Sequence, residues 1–350
     1  MGNCDTIQRA VFKRYANRGK TGMGIKMKIG FCFDCKEDYG YTSNDLSFCD
    51  FISPTAITFV KESLEKCGHK VTLVGNHKKL LEYLKQNNTF DLIITAAEGI
   101  QSRNRESWIA SICELHNLPY AGSDAYTLIV TLDKILTKLI ANYLNVPTPN
   151  FIEIASIEDA ETLLFDYPAI LKPNYEGSSM GVKLINSKED LIEHAKLLFQ
   201  KYSDKLILEE FIPGKEITVS IIEKDGSPYV FGMVESLQHN NEIMPIYSSE
   251  IKRIYGCKKI LPRISAETAS LLKDYALKMY SYLRCNDYCR IDFRLDKNDN
   301  PYLLEVTPLP ALSETASFMM AAKLNNINPV DIFNDILNNA CCRFDLFPKT

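Results

Sequence analysis

YPAILKPNYEGSSMGVKLI, residues 167–185, is the stretch on which the reading of this chain turns. Two apolar runs flank a polar turn that carries Gly177, Ser178, Ser179 and Gly181, so the segment is expected to fold as a hairpin. Glycines let backbone N–H groups approach phosphate oxygens closely, and serine hydroxyls add further donors. Lys172, at the end of the first strand, brings a fixed positive charge to the same turn. The spacing is not that of the Gly-x-x-x-x-Gly-Lys-Ser/Thr loop. A plain glycine-rich hairpin with no ligand would read the same way in isolation, so neighbouring segments have to decide.

Two of them point towards a nucleotide. LILEEFIPGKEITVSI (206–221) is a strand that ends in Glu209 and Glu210, turns at Pro213-Gly214 and restarts with Glu216. Carboxylates at a free strand end can accept from an adenine amino group, and Glu216 could take ribose hydroxyls; solvated acids on an edge strand are the plain alternative. RIDFRLDKNDNPYLLEVTPLP (290–310) is a second hairpin, turning at Asn298-Asp299-Asn300. Asp292 sits on its first strand and Glu305 near the end of its second, so two hard carboxylates can converge, which suits Mg²⁺ bound jointly with phosphate oxygens. Arg290, two residues before Asp292, shares its face of the strand. It can neutralise charge on a transferring phosphoryl group.

From Lys28 onward, short apolar strands alternate with amphipathic helices. Strands are expected at 28–33, 70–74 and 91–95, with a helix over 54–67 opened by Ser53 and Pro54 and another near 104–117. That alternation implies a parallel sheet covered on both faces. Residues 126–205 repeat it on a smaller scale, with helices over 132–145 and 187–200. The remainder is strand-rich and closes with helices near 265–283 and 316–339. The stretch 238–263 has no sustained period, and a loop of that length in a compact enzyme is expected to be a functional lid. The organisation expected is a basic extension (1–26), an N-terminal α/β domain (27–125), a central subdomain (126–205), a C-terminal catalytic subdomain (206–340) and a tail (341–350).

Composition narrows the classes. Hydrophobic residues make up 46% and charged residues 24%, the mixture of an ordinary soluble enzyme. The net charge of −4 gives no reason to expect nucleic acid or an acidic membrane surface as partner. No apolar run approaches the roughly 20 residues that span a bilayer, so a cytoplasmic protein is expected. The 11 cysteines are scattered through apolar contexts and are expected as reduced thiols. Residues 1–26 carry Arg9, Lys13, Arg14, Arg18 and Lys20, and MGNCDT matches the myristoylation pattern with Gly2 and Thr6. A disordered extension, or a start at Met27, is the preferred reading.

Taken together, TLDKILTKLI (131–140) and the three motifs resemble, in order and spacing, the ATP-grasp enzymes, and within them the D-alanine–D-alanine ligases. The resemblance runs from about residue 28 to 340. FDLIITAAEGIQSRNRESWIASICELHNLPYAGSDA (90–125) is similar to a branch described as D-alanine–D-alanine ligase-like. It implies an ATP-grasp fold: a Rossmann-like N-terminal domain followed by two ATP-grasp subdomains, α/β overall and α+β in the C-terminal half. The activity implied is ATP-dependent joining of a carboxylate to an amine through an acylphosphate. The implied cofactors are ATP and one or two Mg²⁺ ions, with Mn²⁺ as an allowed substitute. The partners are small amino-acid or peptide substrates, and a homodimer is allowed.

The same resemblance implies roles. Lys134 and Lys172 would contact ATP phosphates, and Ser178 and Ser179 would close over them. Glu209, Glu210, Phe211 and Ile212 would form the adenine hinge, with Glu216 at the ribose. Lys252 in YSSEIKR would reach the γ-phosphate, with Arg290 beside the metal positions Asp292, Glu305 and Thr307. The chain departs from the pattern in Thr307, where the family has an asparagine, and Ala311, where it has a glycine. The usual Glu-Val-Ser after the first strand is missing. Glu98, Arg105 and Ser317 are candidate substrate contacts, although Glu98, Arg103, Arg105 and Glu106 read equally as a solvated helix start. Two alternatives stand beside D-alanine ligation: a ligase for other amino acids or a peptide in specialised metabolism, and a nucleotide-binding module impaired in catalysis.

Overall fold

The computed structural model describes residues 26–41, 51–202, 204–240, 242–243 and 257–346. Its first sheet is parallel, with strand order β2-β1-β3 from β1 (Lys28–Phe33), β2 (Lys70–Gly75) and β3 (Leu92–Ala96). KIGFCF is an almost continuous apolar run because both faces of such a strand are covered. Ile29, Phe31 and Phe33 point into one cluster with Val60 and Leu64 of the helix Pro54–Lys66. Cys32 points the other way, into a cluster with Ile109 and Cys113 of the helix Trp108–Leu115. Ser53 caps the first of these helices, accepting from Ala56 N at 3.2 Å, with Pro54 in the first turn. This is the start the sequence predicts.

The second sheet is antiparallel, order β4-β7-β5-β6, from β4 (Phe151–Ile154), β5 (Ala169–Pro173), β6 (Lys183–Ile185) and β7 (Leu206–Glu210). The hairpin read from 167–185 is present, with Ala169 opposite Ile185 and Leu171 opposite Lys183. The sheet is antiparallel throughout, and β7, which begins just past the expected boundary at 205, lies in it between β4 and β5. Periodicity marks LILEE as a buried strand but cannot say which sheet receives it.

The third sheet is antiparallel, order β10-β9-β8-β11-β12. Its strands are β8 (Glu216–Lys224), β9 (Ser227–Leu237), β10 (Lys258–Ile260), β11 (Tyr288–Leu295) and β12 (Pro301–Thr307). The helix Ala266–Tyr282 covers one face, packing Leu272, Ala276 and Met279 on Ile217, Val219 and Phe293. The helices Ser317–Leu324 and Pro329–Arg343 cover the other with Phe318, Phe333 and Ile336. That last cluster is continuous with the first sheet, where Phe59 meets Phe333 edge-on with ring centroids 6.3 Å apart.

Other differences from the sequence reading have local causes. The helix expected over 316–339 is two helices: Asn326 adopts φ 57°, Asn328 caps the second, and Pro329 stands in its first turn. A proline is tolerated there and not in a helix interior. Residues 105–107 form a single tight turn, so the helix expected near 104–117 starts at Trp108. An unread helix, Ala125–Leu132, precedes Lys134–Tyr143. Within 238–263, Ile243 bridges Leu237 and β10 pairs with β9. Residues 241 and 244–256 of that expected lid, Lys252 included, lie outside the described residues, as do the basic extension up to residue 25 with its myristoylation pattern and the last four residues. Among the described residues no helix is long and apolar enough to cross a membrane.

Candidate active site

One cleft of about 320 Å³ is lined from both antiparallel sheets and from the N-terminal loops. It collects every described candidate except Arg105: Lys134, Lys172, Ser178, Ser179, the hinge 209–212, Glu216, Arg290, Asp292, Glu305, Thr307, Glu98 and Ser317. Segments more than a hundred residues apart in sequence therefore face one space.

In the turn between β5 and β6, Ser178 and Ser179 adopt φ 46° and 63°, and Gly181 φ 70°. A side chain at Gly181 would place its Cβ 2.8 Å from Pro173 Cδ, so the turn needs glycine at this point. Lys134 Nζ donates to the carbonyl of Glu176, immediately before this turn. Burial lowers the Lys134 pKa, opposed by Glu305 and reinforced by Lys172.

Lys172 Nζ donates to Glu209 Oε1 at 2.5 Å, and Lys138 Nζ stands 2.9 Å from Glu209 Oε2. Glu209 is only 3% exposed, so its carboxylate is not a solvated strand end, and of the two acids Glu210 is the exposed one. Burial alone would raise the Glu209 pKa, but Lys138 and Lys172 outweigh it and hold the group below the usual carboxylate range. Lys138 is fully buried; it also donates to Thr148 Oγ1 (2.8 Å) and is pushed down to about 8 by burial, against the attraction of Glu209. Lys138 was not among the residues singled out. The signal was available, because Lys134 and Lys138 are four apart in TLDKILTKLI and so share a helix face.

The hinge is held from behind. Glu210 N donates to Asn150 O (2.8 Å), and Arg294 Nε donates to Ile212 O (3.0 Å) while Nη1 reaches Glu216 Oε2 (3.3 Å). The Arg294 guanidinium also lies 5.8 Å from the centroid of the Phe211 ring. Arg294, likewise unread, sits two residues after Asp292 on the same face of β11.

Asp292 is directly opposite Glu305, and Arg290 opposite Thr307, across β11 and β12. Arg290 Nε donates to Asp292 Oδ2 (2.9 Å), and its Nη2 donates to Glu305 Oε1 (3.1 Å) and Thr307 Oγ1 (3.5 Å). From the other flank Thr218 Oγ1 donates to Asp292 Oδ1 (2.6 Å). Burial raises the Asp292 pKa, with Arg290 opposing it; for Glu305 the cations Lys134, Arg290 and Lys172 overcome burial and lower it. Two carboxylates and a hydroxyl could hold a divalent cation that completes its shell with phosphate oxygens and water. Among the described residues no group of three or more acidic, histidine or cysteine side chains forms a self-sufficient metal cage. A jointly held Mg²⁺ fits that arrangement.

Glu98, Glu106, Ala311, Thr315 and Ser317 also line the cleft. Arg105 is 5% exposed and does not itself line the cleft, although its Nη2 lies 3.9 Å from Oε1 of Glu106, which does. Its Nη1 donates to Tyr175 O (2.6 Å), and its Nη2 lies 3.7 Å from Glu176 Oε2.

Residues 140–338 match the family model described as D-ala D-ala ligase C-terminus. A D-alanine–D-alanine ligase of Carboxydothermus hydrogenoformans is 31% identical over 79% of this chain and 89% of its own length. The chain belongs to the D-alanine–D-alanine ligase family. It is an ATP-dependent ligase that joins a carboxylate to an amine, on the ATP-grasp fold. The fold is shared with the D-alanine–D-alanine ligase of Bacillus anthracis complexed with ATP, at TM-score 0.69 and 22% identity over 91% of this chain and 99% of that one. It is also shared with the VanG D-Ala:D-Ser ligase of Enterococcus faecalis, at TM-score 0.71 and 17% identity over 90% and 100%.

Proposed function

We propose that this ligase uses Mg·ATP to phosphorylate the carboxylate of an amino acid or short peptide, and that an amino group then attacks the acyl carbon and expels phosphate. The observation that carries the reading is the convergence of three separated motifs on one cleft. Lys134 and Lys172 offset phosphate charge, the turn at Gly177–Gly181 covers it, and Glu210, Phe211 and Ile212 receive the base. Glu216, fixed by Arg294, meets the ribose. Asp292, Glu305 and Thr307 would hold Mg²⁺, which when bound would neutralise charge at the phosphate oxygens. Arg290 stands against the same carboxylates and stabilises charge on the transferring group. Lys252 is assigned to the γ-phosphate. The protein contributes positioning and electrostatics, as in phosphoryl transfer generally. Such chemistry draws on the cytoplasmic ATP pool.

The acceptor is where this chain differs. Thr307 and Ala311 depart from the family pattern and line the cleft, the usual Glu-Val-Ser after the first strand is missing, and a solved D-Ala:D-Ser ligase has the same fold. We therefore assign the substrates to the class of small amino acids and dipeptides and leave D-alanine as one member of it. ADP release measured with Mg·ATP across D- and L-amino acids and dipeptides tests this. Release above background with at least one pair is expected; none with any pair would overturn the assignment.

A further inference from the structure

Arg105 lies in the N-terminal domain, in the loop that follows β3, yet its guanidinium is committed to the phosphate-binding hairpin. Nη1 donates to Tyr175 O at 2.6 Å and Nη2 lies 3.7 Å from Glu176 Oε2, one residue ahead of Gly177. The carbonyl of the same Glu176 receives Lys134 Nζ, so the entrance to the phosphate turn is gripped from two directions.

The N-terminal end of this tie is itself fixed. Asp34, fully buried just beyond the end of β1, accepts from Gly99 N at 2.7 Å and from Tyr39 Oη at 2.6 Å. Gly99 has φ 66°, and a Cβ there would stand 2.8 Å from the Arg105 carbonyl oxygen, so the two ends of the 99–105 loop are pressed together. The loop carries Glu98 and Glu106 on its margins, and both line the cleft.

We propose that Arg105 is a positioning residue that couples the Glu98–Glu106 loop to the phosphate turn, so that nucleotide bound under Gly177–Gly181 orders the substrate end of the cleft as well. The inference rests on the nucleotide reading given above. A buried guanidinium held by a carbonyl and a carboxylate of another domain is costly to detach, because its charge would lose those partners. Ordering at one end is therefore transmitted to the other, and by linkage a ligand at either end favours the other.

Hydrogen exchange of the full chain, with and without a Mg·ATP analogue that cannot be hydrolysed, tests the coupling. In the wild type both 174–181 and 97–107 should exchange at least severalfold more slowly with the analogue. In Arg105→Gln and Arg105→Met the analogue should still protect 174–181 but no longer protect 97–107. Wild-type protection confined to 174–181 would overturn the coupling while leaving the nucleotide site intact. Protection of both segments in the variants would remove Arg105 as the tie. Absence of analogue binding to the wild type would instead count against the nucleotide reading itself. The wild-type arm alone decides the coupling if the variants fail to fold.

Discussion

Lys138 Nζ and Lys172 Nζ sit on different oxygens of one buried carboxylate, Glu209, at 2.9 and 2.5 Å. Lys138 reaches no further into the cleft, whereas Lys172 lines it. The inner lysine therefore acts on Glu209, and the outer one is left with a carboxylate partner on one side and the cleft on the other.

This arrangement has a pH signature. The folded pKa of Lys138 is pushed down to about 8 from its ordinary value of 10.5. Between those values the unfolded chain holds a proton that the folded chain has lost, so Lys138 makes stability rise with pH, by at most about 1.4 kcal/mol per unit. Lys138→Met lacks this contribution. Denaturant unfolding at pH 7, 8, 9 and 10 should show the wild type gaining on the variant from about pH 8 upward. A gap that stays constant or narrows would contradict the lowered folded pKa of Lys138.

Lys172→Met should weaken Mg·ATP binding about tenfold to a hundredfold, the size of one charged hydrogen bond at about 1.5–3 kcal/mol. Lys61, paired with Glu65 at 2.8 Å on the surface of the helix Pro54–Lys66, is the control. Its change to Met should leave the Kd unaltered. Calorimetric titration of both variants makes the comparison, and equal affinities would contradict the phosphate assignment.

Thr307 lies opposite Arg290 with its hydroxyl 3.5 Å from Nη2, two strand positions beyond the Asp292–Glu305 pair. A threonine hydroxyl can coordinate Mg²⁺ but reaches less far than an asparagine carbonyl. Thr307→Asn should shift the Mg²⁺ dependence of ADP formation to lower concentration, Thr307→Ala to higher, and Glu305→Gln should abolish turnover. Coincident curves for wild type and both Thr307 variants would reduce the metal site to its two carboxylates.

Local chemistry made much of this legible. The glycines and serines of 177–181 announce their turn, Asn298-Asp299-Asn300 announces the second hairpin, and the offset of Asp292 and Glu305 on its two strands places them face to face. Residues that act through a partner distant in sequence left weaker traces. Glu209 reads as a solvated acid until Lys138 is seen behind it, and nothing in RNRES says that Arg105 crosses to Tyr175. The membership of β7 depends on pairing with β4 and β5, which strand periodicity does not encode. The break at 325–328 is marked by Asn328-Pro329, while the apolar pattern continues through it.

The central claim is that this one cleft couples ATP cleavage to amide-bond formation. The most direct measurement is the balance of ADP, phosphate and amide product formed from Mg·ATP and the best amino-acid pair, in wild type and Glu305→Gln. The account predicts equal amounts of all three products in the wild type and none in the variant. Nucleotide that binds without amino-acid-dependent ADP release, or ADP formed with no amide product, would contradict it.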